Sequence, residues 1–189
     1  MKLTRKITPA SRPLQLHKAA ELLTLFQKSL HAAGGIAGAH CVHELWMRGE
    51  MAINIESMLE RLWQTCAASV PDWLPMRHVE WLPQVYAVAA QFKASGKGRS
   101  NIYLILLDYS DRPDPYGVYV GMSEYPAAAR FDQHKAGIRA AGSVLKRGIE
   151  PLIGPTLHLQ KIKRADAARI EVELAEALTA AGLFVQGGH

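Results

Sequence analysis

The apolar residues of this 189-residue chain change their period once, and the change falls at Ala94–Ser100. Before that point they recur at helical spacing. Leu16, Ala19, Ala20, Leu23, Phe26 and Leu30 predict a helix over Leu14–Ala33, which Gly34, Gly35 and Gly38 end. Ile55, Met58, Leu59, Leu62, Trp63 and Cys66 predict a second over Ile53–Val70, stopped by Pro71, whose ring cannot continue the hydrogen-bond ladder. Trp81–Lys93 is a third, shorter one. After the Gly/Ser/basic stretch, Ile102–Leu107 and Tyr116–Gly121 read as two strands of a hairpin with a long turn through Asp111–Pro115. Pro126 opens a helix to about Ala136. Thr156–Ile162 alternates as a third strand, and Asp166 caps a last helix that Gly182 terminates. The fold class expected is therefore α+β: a helical N-terminal domain over 1–95, then a small β-β-α-β-α domain over 96–189 with a three-stranded sheet. Residues 1–13, basic and carrying Pro9 and Pro13, read as an irregular arm.

With 49% hydrophobic residues the chain has the material for a buried core, which argues against disorder. Its net charge of +5 permits a polyanionic partner without requiring one. The excess is concentrated between Lys135 and Arg169, where eight cations face only Glu150 and Asp166. Such a run is ordinarily a solvated face; beside a phosphate-cleaving site it becomes a groove for nucleic acid. Cys41 and Cys66 form no zinc or redox pattern and read as free thiols. No secretory segment follows Met1 and no apolar run reaches the roughly 20 residues needed to span a bilayer, so a cytoplasmic protein without a membrane partner is expected.

Five residues carry chemistry. Tyr103 and Tyr119 stand on the two hairpin strands, Arg130 and His134 lie one helical turn apart, and Glu171 belongs to the last amphipathic segment. Leu174 and Leu178 follow Glu171 at i+3 and i+7, which turns that carboxylate towards the sheet, whereas Glu173 and Glu176 point elsewhere. An inward carboxylate is costly unless a cation or metal answers it. Hydroxyls, a guanidinium, an imidazole and a carboxylate are what metal-assisted cleavage of a phosphodiester requires. On position alone each has a plainer reading: tyrosines in strands are most often packed, and Arg130 could be half of a surface ion pair.

The ordered set Asn-Ile-Tyr103, Tyr119-Val-Gly121, Met122-Ser123, Arg130, His134 and Glu171 resembles the GIY-YIG nuclease superfamily, in its bacterial branch with Val-Tyr-Val-Gly-x-Ser…Arg-Phe-x-x-His. The resemblance covers the C-terminal half only. It implies a metal-dependent endonuclease acting on nucleic acid, DNA in the first instance, with one Mg²⁺ or Mn²⁺ on Glu171. Arg130 would offer its fork of donors to phosphate oxygens. His134 would contact phosphate or relay a proton. Tyr103 and Tyr119 would orient or deprotonate the attacking water, with Tyr103 the favoured base. Ser123, Lys135, Lys146 and Arg147 are the expected substrate contacts. The chain departs from the family pattern in four places. Asn101 replaces the first glycine, the gap from Tyr103 to Tyr119 is longer than usual, and Arg130 lies one residue further on. The usual terminal asparagine has only Gln186 or His189 as a counterpart.

A rival expectation is a catalytically inactive module of this kind that binds nucleic acid or protein. A third is a helical scaffold with an incidental hairpin. In the helical half, His40-Cys41-Val-His43-Glu44 is too tightly spaced for a structural zinc site and reads as a loop or helix start. Trp46, Trp63, Trp73 and Trp81 suit core or interface packing. Docking of a protein partner, or oligomerisation, is the secondary expectation for that half.

Overall fold

A computed structural model describes residues 12–188, so the arm expected at the N-terminus lies largely outside the described residues, as does His189. The chain divides at Pro83 and Gln84 into two compact units, ahead of the boundary at 95–96 that the composition shift suggests.

The first unit is helical, built on α1 (Ala19–His31), α2 (Gly35–Met47) and α3 (Ala52–Cys66). The stripe of α3 behaves as its spacing predicts, with Ile55, Met58, Leu59 and Leu62 buried; in α1 the expected stripe holds only at Phe26 and Leu30, because the face turned to the core carries Leu22, while Leu16, Ala19, Ala20 and Leu23 are exposed. The first helix starts at Ala19 rather than Leu14. The glycines do end α1, but a further helix, α2, begins at once from Gly35, and His40–Glu44, expected as a loop or helix start, lies in its middle. Every residue from Gly38 to Trp46 is buried, so this helix has no polar face and hence no readable period. Its glycines serve close packing: a Cβ on Gly38 would lie 2.5 Å from Leu62 Cδ1. Cys41 and Cys66 are free and buried, and Trp46 is core, its Nε1 donating to the Val79 carbonyl at 3.2 Å. Glu44 is almost wholly buried; burial pushes its carboxyl up, but Arg12 and Arg48, at 2.8 and 2.7 Å, outweigh that and hold it below the usual carboxylate range.

The second unit opens in α4 (Leu82–Ala89) and is organised by a mixed four-stranded sheet in the order β3-β1-β2-β4. The long central strand β1 (Lys97–Asp108) begins inside the expected linker; Ser100 and Asn101 are already buried. It pairs antiparallel with β2 (Tyr116–Ser123), placing Tyr103 opposite Gly121 and Ile105 opposite Tyr119. The predicted hairpin is therefore present. The third strand is elsewhere: Thr156–Ile162 is a tight helical turn over Gly154–Leu159, opened by Pro155 and burying Thr156 and Leu159 three apart. Its alternating look came from Leu157 and Leu159. The strand that pairs with β1 is β3 (Gly148–Pro151), and β4 (Val185–Gly187) adds a parallel partner to β2. Both are too short to show a period, which is why three strands were expected where four exist.

Because strand side chains alternate between faces, the sheet presents two surfaces. Tyr103, Ile105, Leu107 and Tyr109 pack with Ala127 of α5 (Ala127–Lys135) and Val144 of α6 (Gly142–Arg147). The last helix, α7 (Arg164–Ala180), packs on β1 and β2 through Ala167, Ile170, Leu174 and Leu178. No helix among the described residues is long and apolar enough to cross a membrane.

Candidate active site

Antiparallel register brings the two tyrosines together. Tyr119 is diagonal to Tyr103 on one face, and their ring centroids are 6.0 Å apart. The glycine between them has a steric reason: a Cβ on Gly121 would stand 2.6 Å from both Cζ and Oη of Tyr103 and 2.7 Å from Tyr119 Cε1. The Tyr103 hydroxyl occupies the space that this missing side chain leaves. Tyr103 is 2% exposed, whereas Tyr119 is only half-buried.

His134, buried on α5, completes the cluster. Its Nδ1 accepts from the Ala141 backbone N–H at 2.9 Å, and its Nε2 lies 3.0 Å from the Tyr103 oxygen. Burial, with the nearby Arg130 guanidinium adding to it, brings His134 down to about 4, so the imidazole is neutral at pH 7. With Nδ1 already accepting, the single ring proton sits on Nε2 and is donated to Tyr103. The Tyr103 hydroxyl then donates to Tyr119. Burial pushes both phenols up; in Tyr119 the bond from Tyr103 opposes that rise, the Glu171 charge adds to it, and Arg130 opposes it. A directed chain thus runs from the Ala141 amide through His134 and Tyr103 to the Tyr119 oxygen.

Arg130 is fixed rather than dangling. Its Nη1 donates to Gln133 Oε1 and the Ile138 carbonyl at 3.0 and 3.1 Å, and its Nη2 donates to the Arg139 carbonyl at 2.7 Å. Together with the His134–Ala141 bond this pins the 136–141 loop, which turns through positive φ at Gly137 and Arg139. Glu171 faces the sheet, as its spacing predicts: Oε1 accepts from the Met122 N–H at 3.1 Å, and its charge bears on Tyr119. A divalent cation here would take Glu171 as its ligand from the chain; no group of three or more His, Cys, Asp or Glu side chains converges among the described residues. That donor set fits Mg²⁺ or Mn²⁺, hard ions that keep several waters and share a substrate phosphate.

Beside the cluster lies a groove of about 660 Å³, lined by Met122, Ser123, Tyr125, Arg130, Arg139 and Arg164 among others. Of the four expected substrate contacts, Ser123 lines this groove and Lys135, Lys146 and Arg147 do not. The Lys135 ammonium is tied to the Leu145 and Gly148 carbonyls at 3.2 and 3.1 Å. Arg147 pairs with Asp111 at 2.9 Å and lies over the Tyr109 ring, at the opposite end of the hairpin, and Lys146 is exposed on the same short helix. Gln186 sits in register with Tyr119 on β4.

Asn101, read from the sequence as a lost glycine, is a bracket. Its Nδ2 donates to the Ser123 and Tyr125 carbonyls, both at 3.2 Å, and its Oδ1 accepts from the Lys161 N–H at 2.9 Å. An asparagine at the start of a buried strand was the available signal, because a buried amide demands partners. The chain matches no protein-family model, no curated protein and no solved structure.

Proposed function

We propose that the unit from Gln84 onward is a metal-dependent endonuclease that hydrolyses phosphodiester bonds in nucleic acid, DNA in the first instance, on the GIY-YIG pattern. The observation that supports this reading is that Tyr103 and Tyr119 flank Gly121, that His134 bonds Tyr103, and that the Arg130 and Glu171 charges both bear on Tyr119, from two strands and two helices. Arg130, held by two loop carbonyls, meets a phosphate at the groove without having to reorganise, which is where charge stabilisation is most effective. Tyr103 is enclosed and already accepts from His134, so it serves to orient its neighbour. Tyr119 is the outer end of the chain; once it has released its own hydroxyl proton to solvent, its tyrosinate oxygen takes the proton from the attacking water, so cleavage should rise with pH. When bound on Glu171, the divalent ion supplies Lewis-acid relief of phosphate charge and a more acidic water.

The test is nicking of supercoiled plasmid by the full chain in Mg²⁺ and Mn²⁺, with EDTA as control. Cleavage that EDTA stops and that Glu171→Gln lacks, at an unchanged melting temperature, is expected. A wild-type chain that never nicks, or a Glu171→Gln chain that nicks undiminished, overturns the reading.

Two features favour the second reading, a binding module without turnover. Most Arg130 donors are spent on the chain itself, and both phenols are pushed up by burial. Retention of a labelled duplex with no cleavage at any pH or metal would select it.

A further inference from the structure

The loop between β2 and α5 holds an aromatic ring in the open. Tyr125 is 54% exposed, and among the described residues no aromatic or cationic group lies against its ring. Its backbone, by contrast, is fixed on both sides: the N–H donates to Ser123 Oγ at 3.0 Å, and the carbonyl accepts from Asn101 Nδ2. An exposed tyrosine on a slack loop would be unremarkable; one whose main chain is clamped by a buried asparagine and a serine has already lost the freedom that binding would otherwise cost. It lines the same groove as Arg130, Arg139 and Arg164, with Ile138, 56% exposed, on another wall. The one acidic side chain lining the groove, Glu124, is paired with Arg99 at 3.3 Å. Guanidinium groups along a groove together with an unoccupied aromatic face are the recognition chemistry of an unpaired nucleotide: the charges follow the backbone and the ring stacks on a base. In a duplex the base faces are already stacked on one another, so a ring presented this way has nothing to receive.

We propose that Tyr125 is a stacking platform for an unpaired base, and that this groove takes single-stranded or locally opened nucleic acid rather than intact duplex. The proposal rests on the phosphodiester reading only for the placement of the scissile bond next to the platform; binding itself is independent of turnover.

Fluorescence anisotropy of the full chain in EDTA, with labelled oligothymidylate, oligouridylate and a blunt duplex of equal length, tests it without requiring cleavage. The wild type should prefer both single strands to the duplex. Tyr125→Ala should weaken single-strand binding about tenfold or more, and Tyr125→Phe should restore it, since the ring and not the hydroxyl is used. Equal affinity for duplex and single strand, single-strand binding unchanged in Tyr125→Ala, or Tyr125→Phe as weak as Tyr125→Ala would each overturn the platform. Nicking assays on the same proteins report separately on catalysis: a chain that stacks single strands but never cleaves retains the platform and loses the nuclease.

Discussion

His40 in the helical unit and His134 in the sheet unit are buried to the same degree, at 2% and 1% exposed, and each is brought down to about 4. They arrive there differently. His40 is depressed by burial; neither of its ring nitrogens has a hydrogen-bond partner among the described residues, and its ring packs on Trp73 with centroids 5.0 Å apart. His134 is depressed by burial and by Arg130, and both its nitrogens are engaged, one fixing the tautomer and the other presenting a proton to Tyr103. A displaced pKa therefore does not distinguish a packed ring from a wired one; the hydrogen bonds do. A similar difference in surroundings separates Glu44, which bonds two arginines, from Glu171, which accepts from the Met122 N–H and whose charge bears on Tyr119.

The largest effect expected from this contrast is on acid stability. Both histidines bind protons less readily folded than unfolded, so the unfolded chain gains protons first as pH falls below about 6.5. Stability is complete above that value and is lost between about 6.5 and 4, by up to about 3 kcal/mol for each buried imidazole. All four tryptophans precede Pro83, so their fluorescence reports on the helical unit by itself. Urea titrations followed by that signal should show His40→Leu losing less stability from pH 7.5 to 4.5 than the wild type. Equal losses would erase the distinction drawn for His40.

A smaller effect sharpens the other side. Tyr103→Phe leaves the His134 Nε2–H buried without its acceptor and should cost about 1–3 kcal/mol. It also removes the bond that holds Tyr119 down, so any nicking should weaken and move to higher pH, read from rate against pH. An unaltered pH profile would mean that the chain of bonds ending at Tyr119 plays no part in proton transfer. The smallest effect is expected at the far end of the hairpin, where Arg147→Ala should leave nicking rates unchanged. A large loss there would extend the substrate path well beyond the groove.

Much of this was legible in the sequence, for physical reasons that differ by element. Tyr103 and Tyr119 could be paired in advance because two apolar runs joined by a turn have few ways to align, and Glu171 could be aimed at the sheet because Leu174 and Leu178 fix one face of its helix. Helix α2 was not legible because burial on all sides removes the polar residues that would reveal its period. Strands β3 and β4 were hidden by brevity, and Pro155 turned an alternating segment into a helical turn. The roles of Lys135 and Arg130 in holding backbone carbonyls were also out of reach, since the acceptors belong to the 136–148 segment, whose path no local pattern announces.

Asn101 joins three stretches of chain that lie far apart in sequence, and its consequence is mechanical. Its amide grips the carbonyl of Tyr125 on one side and the N–H of Lys161 on the other, two residues before the cap of α7. The loop that bears the exposed ring and the turn from which α7 springs thus hang on the same carboxamide, and α7 carries Glu171.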